Sequence, residues 1–479
     1  MKRGVLLYVV AGLALLLIIN TAYLAAFASP TIFYMANVLL HVYGGAAMVI
    51  AFAWLLIRKP EPRRGIAIVA VALAISGTLG LYLAMHGNLR ADRWALWSHI
   101  VTGIAAVIAL FPYLRKKAAA FGGGWLVIDR GLKMTVTVSA LLVMAGILLD
   151  TTSNARYAAV RNPGYTPVSM EEEGGGPQSP FWPSSAKTNV GGLIPSDFFL
   201  ESEKCGECHK DIYEQWRASA HHFSSFNNQF YRRSIEQMQE LSGTKGSRWC
   251  ASCHDHAMFF NGRFDKRAVE QIDTPQAQAG LACVSCHSIV HVDGSMGNGG
   301  FTMEYPAIHD LASSNDPWIK RLDRFLTFTD PEPHRRAFLK PFMKDSAEYC
   351  STCHKVHLDI PVNNYRWIRG FNDYDTWQAS GVSGLGARSF YYPEKSLTCG
   401  GCHMPLVPSR DPGNRNGVIH AHRLPAANTA LAHVNGEHEQ MKVTEQFLKS
   451  GFITMDIFAA APAENPAGLA MMRLSLIHI

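Results

Sequence analysis

All ten cysteines of this 479-residue chain fall into one spelling, Cys-x-x-Cys-His, repeated five times. The copies are Cys205, Cys208 and His209; Cys250, Cys253 and His254; Cys283, Cys286 and His287; Cys350, Cys353 and His354; and Cys399, Cys402 and His403. Two thiols one helical turn apart can each form a thioether to a porphyrin vinyl group, and the adjacent histidine then supplies an axial nitrogen to iron. A lone copy could equally be half a zinc site. Five copies cannot all be paired into four-thiolate zinc sites, because one motif is left stranded. Disulfides within a motif would join residues only three apart, which strains their geometry. The reading is therefore five covalently bound c-type haems, with the ten cysteines as attachment points and the five motif histidines as proximal ligands.

Composition is split along the chain. Residues 1–150 are dominated by Ala, Val, Leu and Ile, and the remainder is polar and rich in His and Gly. Five apolar segments, near 5–27, 32–57, 65–86, 95–114 and 132–149, each approach the roughly 20 residues a helix needs to span a hydrocarbon core. Lys2 and Arg3, then Arg58, Lys59, Arg63 and Arg64, then Arg115, Lys116 and Lys117 fall on one side if the N-terminus is cytoplasmic. Five spans then deliver everything after Asp150 to the opposite, periplasmic face of a bacterial inner membrane, where c-type haem is attached. Ala26-Phe27-Ala28 resembles a signal-peptidase site; retention of the first helix is the expectation, because the first four segments read as a duplicated hairpin. The formal charge of +6 carries no basic stripe with interleaved aromatics, so nucleic acid is not an expected partner.

A shift of 58 positions lays His41 on His99 and Gly45 on Gly103. Ionisable side chains inside a span are costly and usually face the bundle interior. This pair could hold a b-type haem, with the glycines admitting a flat ring. It could equally be two hydrogen-bonded interior histidines, or line a quinol pocket, and His86 reads as an interface residue or quinol contact.

Residues 151–200 carry clustered Pro and Gly and read as an extended tether. From 201 to 438 the chain reads as short helices and loops between motifs, with too little between them for a conventional side-chain core. Eleven further histidines stand in this region as possible sixth ligands: His221, His222, His256, His291, His309, His334, His357, His420, His422, His433 and His438. Three stand out as distal candidates. His221 ends a helical run, His334 precedes the fourth motif on a basic helix, and His422 follows the fifth. The Tyr-x-x-Trp-x-Ala-Ser pattern beginning at Tyr213 recurs at Tyr374, where Val382 takes the place of His221, so the second copy reads as packing.

The stretch from Cys205 to His221, Cys-Gly-Glu-Cys-His-Lys-Asp-Ile-Tyr-Glu-Gln-Trp-Arg-Ala-Ser-Ala-His, resembles the opening of the multihaem cytochromes related to the nitrification tetrahaem cytochrome c. Octahaem tetrathionate reductase and hydroxylamine oxidoreductase belong to the same broad group. Cys399 to Pro405, ending Cys-His-Met-Pro, together with His422 and Arg423, is similar to the group's final haem segment. The resemblance covers residues 200–435 and implies closely stacked haems in a mainly helical, loop-rich domain. It also implies a distal role for His221 and His422. Catalytic relatives often replace the proximal histidine of the working haem by lysine, and none of the five motifs does so; the tyrosine crosslink of hydroxylamine oxidoreductase has no counterpart here.

Beyond Glu437, residues 452–458 read as a strand opening a β domain over 439–473 that does not complete. The last six residues, 474–479, read as a translated transposase sequencing adapter, so an artificial end is expected and His478 is set aside as a ligand. The fold class expected is an all-α bundle of five transmembrane helices, then a mainly α, loop-rich multihaem domain, then the start of a truncated β domain. The expected function is electron transfer with no catalytic residue assigned, from membrane quinol to periplasmic redox partner proteins. A rival from another class is an oxidoreductase of small nitrogen or sulfur species at one open haem. A haem-based sensor would need an output domain, and none is visible.

Overall fold

The computed structural model describes residues 3–58, 66–157, 160, 164–306, 309, 313–344, 346–387, 393–451, 459–460 and 470–471. The chain divides into two units, Met1–Ala159 with Tyr305–Pro341, and Val160–Glu304 with Phe342–Ile479.

In the first unit five helices follow one another: α1 (Arg3–Ala26), α2 (Ile32–Arg58), α3 (Ala67–His86), α4 (Arg93–Phe121) and α5 (Gly123–Tyr157). All five are long and apolar enough to cross a membrane. The fourth outruns its apolar stretch because Ala118, Ala119 and Ala120, the strongest helix formers, carry the helix past Arg115, Lys116 and Lys117. Each helix packs on its sequence neighbours, and α1 closes on α5. Leu114 of α4 and Ile128 and Leu132 of α5 are buried together against Leu7, Ala11 and Leu15 of α1. Polar side chains inside this apolar bundle pair with one another; Asn20 of α1 donates from Nδ2 to Oδ1 of Asn37 on α2 at 2.9 Å.

Residues Tyr305–Pro341, which the sequence assigns to the haem domain, belong to this helical unit. The Pro317–Thr329 helix begins where Asp316 accepts hydrogen bonds from the Trp318 and Ile319 amides, with Pro317 at the first helical position. Its Leu326 is buried with Tyr34 and Val38 of α2. The Asn88 amide donates to the Phe328 carbonyl at 2.7 Å, and the Tyr34 hydroxyl donates to Oδ2 of Asp330 at 2.6 Å. On the following helix, Glu332–Phe338, Nη1 of Arg336 reaches Oδ1 of Asp150 at 2.7 Å.

The second unit is mainly short helices, with small sheets. β1 (Lys187–Thr188) runs parallel to β3 (Phe301–Met303), which pairs antiparallel with β2 (Ile289–Val292). β4 (Lys355–Leu358) pairs with β5 (Ile368–Asn372), and β6 (Leu406–Pro408) with β7 (Val418–His420). The strand expected at 452–458 and the residues 474–479 lie outside the described residues. Two-residue strands, β8 (Ala459–Ala460) and β9 (Ala470–Met471), pair antiparallel.

The stretch read as a tether is built into this unit from Met170 onward. Met170, Phe181, Ala186, Ile194, Phe198 and Phe199 are buried. Phe181 and Phe199 pack on Phe260, with ring centroids at 5.2 and 5.7 Å, and Phe260 reaches Phe301 at 6.1 Å. Glu173 Oε1 is hydrogen-bonded to Nε2 of His357 at 2.6 Å, with His357 buried and Glu173 largely so. The unit thus has an aromatic side-chain core of its own, where the sequence reading expected too little chain between motifs for one. Irregularly spaced aromatics bury large areas without any helical or strand periodicity to announce them. Phe260→Ala removes the ring at the centre of this cluster and is expected to destabilise the unit by about 3–5 kcal/mol, read as a lowered Tm of the detergent-purified protein.

Candidate functional site

Each motif forms a helical turn. In the first, the amides of Cys208 and His209 both donate to the Cys205 carbonyl, at 3.2 and 2.9 Å; in the fourth, those of Cys353 and His354 donate to Cys350 at the same distances. This places the two thiols and the histidine on one side of a short turn, the arrangement that covalent haem attachment needs. All ten cysteines are free, partly exposed thiols.

Four of the five motif histidines share a second property. Nδ1 of His209 meets Oδ1 of Asp411 at 2.8 Å, and Nδ1 of His354 meets Oδ2 of Asp373 at 3.0 Å. Nδ1 of His254 meets the Ser224 carbonyl at 2.9 Å, and that of His403 the Pro425 carbonyl at 2.7 Å. Carboxylates and carbonyls only accept, so each of these imidazoles carries a proton on Nδ1. That is the hydrogen bond a metal-ligating histidine usually makes with its other nitrogen. The hydrogen bonds to Asp411 and Asp373 hold His209 and His354 above the usual imidazole range.

Two motif histidines face a second imidazole. His354 and His221 have ring centroids 6.1 Å apart, and His287 and His422 are 6.3 Å apart. Two imidazoles on opposite faces of one iron would stand roughly 6 Å apart, from two metal–nitrogen bonds of about 2 Å plus the two half-rings. His422 is held by Nδ1 on the His420 carbonyl at 2.8 Å, again leaving Nε2. Burial pushes both His221 and His422 down to about 4, so each is the neutral imidazole that binds metal. By contrast His256 and His357 spend Nε2 on Ser252 and Glu173. His334 stands on the Glu332–Phe338 helix, in the unit without motifs, its ring 4.9 Å from Phe338.

The motif cysteines stand beside one another in a definite order: Cys205 beside Cys283, Cys353 beside Cys253, and Cys350 beside Cys399. The repeated Tyr-x-x-Trp pattern explains two of these meetings. Nε1 of Trp216 donates to the Leu281 carbonyl at 2.8 Å, and Nε1 of Trp377 donates to the Leu397 carbonyl at 2.8 Å. Leu281 and Leu397 each lie two residues before the next motif. Their own amides donate to His221 and Val382, the matched positions of the repeat, both at 2.9 Å. The first copy is tight enough that a Cβ on Gly280, at φ +62°, would stand 1.7 Å from the His222 carbonyl oxygen. One local device is therefore used twice, seating the third motif beside the first and the fifth beside the fourth. The repeated aromatics are hydrogen-bonding anchors as well as packing.

In the first unit, His41 and His99 have ring centroids 6.1 Å apart. Nδ1 of His99 meets the Ser76 carbonyl at 2.8 Å, and Nδ1 of His41 meets Oγ1 of Thr21 at 3.3 Å. Each ring is thus tethered by Nδ1 to the preceding helix. A Cβ on Gly45 would meet nothing within 4 Å. The sequence reading missed Thr21, Ser76, Asp373 and Asp411. The first two were visible only as hydroxyls within apolar spans, and Asp411 only as an acidic residue in a turn.

Residues 204–288, which contain the first three motifs, match the family described as cytochrome c554 and c-prime. No curated protein and no solved structure matches the chain. That stretch is thus similar to a c-type cytochrome, and the match supports covalent haem binding and haem-based electron transfer there.

Proposed function

We propose that the chain is a membrane-anchored periplasmic cytochrome with five c-type haems, carrying electrons from the membrane quinol pool to acceptors in the periplasm. The observation that supports this reading is the shared Nδ1 contact of four motif histidines, His209, His254, His354 and His403, each held by an oxygen acceptor as a metal-ligating histidine usually is. Haem bound at these motifs supplies one-electron chemistry, at a potential tuned by axial ligands, burial and hydrogen bonds.

His287 with His422, and His354 with His221, are the proposed axial pairs; His334 is given no ligand role. Asp411 and Asp373 increase the basicity of His209 and His354, which lowers the potential at those positions relative to His254 and His403, whose partners are uncharged carbonyls. The basic residues that flank the spans set the N-terminus in the cytoplasm, and an odd number of spans then carries the motif-bearing unit to the periplasm. His41 and His99, tethered by Thr21 and Ser76, are the proposed ligands of one b-type haem that passes electrons from quinol.

A second reading has one observation in its favour. His254 has Tyr231 stacked on its ring at 4.3 Å and His403 has Phe447 beside it at 5.3 Å, whereas His354 and His287 each meet a second imidazole, at 6.1 and 6.3 Å. An open face at one of these positions would allow oxidation or reduction of a small nitrogen or sulfur compound. A high-spin ferric signal that shifts on adding nitrite, hydroxylamine or cyanide favours this reading, and an all-low-spin spectrum favours the conduit.

His221→Ala and His422→Ala are each expected to convert one low-spin ferric haem to high spin in electron paramagnetic resonance, with the c-haem count unchanged by pyridine haemochrome. Unaltered spectra in both variants would dismiss the two axial pairs. Asp411→Asn, which removes the charge and keeps the hydrogen-bonding shape, is expected to raise the midpoint potential of one haem alone in a redox titration. His41→Ala is expected to abolish the b-type band of the membrane fraction while leaving the c-type band; a retained b-type band rejects that site.

A further inference from the structure

The Pro317–Thr329 helix is divided along its length. Trp318, Ile319, Leu322, Phe325 and Leu326 share one arc at helical spacing, and Lys320, Arg321 and Arg324 stand on the other side. The C-terminal half of the apolar arc is used within the unit: Leu326 is buried and Phe325 packs against Tyr34 and Val38. The N-terminal half of the same arc runs on uncovered, with Trp318 74% exposed and Leu322 43% exposed. The helix is held firmly in this attitude by the Asn88–Phe328 and Tyr34–Asp330 hydrogen bonds and by Phe328 packed on Gly87.

These attachments fix where the helix stands in its unit. Tyr34 lies in the first turn of α2, Gly87 directly follows α3, and the next helix reaches Asp150 near the end of α5. All three lie at one end of the five apolar helices, where the headgroups of a spanned bilayer would begin. An amphipathic helix lying there, with an apolar arc that continues past the bundle and a basic opposite side, has the composition of an interfacial helix. Arg321 sits 5.3 Å from the Trp318 ring, so cation and aromatic are presented together, as suits the headgroup boundary.

We propose that the N-terminal half of the Pro317–Thr329 helix is embedded in the lipid headgroup layer at this end of the bundle, with Trp318 and Leu322 among the upper acyl chains and Lys320, Arg321 and Arg324 on anionic phospholipid headgroups. The proposal rests on the reading that the five helices span a membrane. The occupant is the bilayer itself, because the uncovered arc is continuous with a surface already seated on the membrane helices, and because three basic residues against one acidic residue, Asp323, complement anionic lipid.

The test uses the full-length haem-loaded protein in liposomes of phosphatidylethanolamine and phosphatidylglycerol. The photocrosslinker p-benzoylphenylalanine is placed singly at Trp318, at Leu322 and, as a mid-span reference, at Ile50, which is 70% exposed on α2. Haem content reports that each variant is folded. Phospholipid adducts at Trp318 and Leu322 as well as at Ile50, seen by mass spectrometry, are the expected result. Adducts at Ile50 with only protein crosslinks, or none, at Trp318 and Leu322 overturn the interfacial helix and leave the spanning reading standing. No lipid adduct at any position overturns both. Replacing Lys320, Arg321 and Arg324 together by Ala is expected to lower the phosphatidylglycerol share of the Trp318 adducts several-fold; an unchanged share overturns the headgroup contact.

Discussion

A hydrogen bond from the far nitrogen of four motif histidines, His209, His254, His354 and His403, governs how the second unit can work. Without it an imidazole rotates and exchanges tautomers, and neither nitrogen is reliably available. With Nδ1 committed to Asp411, Ser224, Asp373 or Pro425, the ring is oriented and Nε2 is the nitrogen left for metal. The acceptors differ in charge while the geometry is shared. Two of these positions are thereby given an anionic partner and two a neutral one, and a graded series of iron environments can follow from nearly identical five-residue motifs.

The same economy appears between motifs. A tryptophan indole reaching a carbonyl two residues ahead of the next motif occurs twice, at Trp216 and Trp377, with equal distances and with matching return bonds from Leu281 and Leu397. What differs is the residue at the turn. His221 faces His354, whereas Val382 offers no ligand. Scaffold and ligand are separable here. The repeat supplies the seating of one motif beside another, and the side chain at one position decides whether a sixth ligand is offered as well.

Much of this was legible in the chain. The motifs name their own residues, and the five helices follow from apolar length, with their ends displaced where alanines prolong the helix beyond the hydrophobic stretch. His221 and His422 stood out by position, and the matched pair His41 and His99 by an internal shift. The remainder was hidden for physical reasons. A backbone carbonyl such as that of Pro425 has no residue-type signature. Asp411 lies 202 positions from His209, and nothing local marks it as a partner. The Met170–Phe199 stretch reads as loop because its aromatics obey no period, yet those rings form part of the core.

Because Tyr305–Pro341 is threaded out of the second unit and into the first, the motif-bearing unit is not one uninterrupted length of chain. During synthesis its third and fourth motifs are separated by a segment whose partners, Tyr34, Val38, Asn88 and Asp150, were made long before. A secreted version prepared by simply deleting the first five helices would therefore carry Leu326 and Phe325 with nothing to cover them, an invitation to self-association. A well-behaved soluble form has to shed that excursion together with the helices it was built to meet.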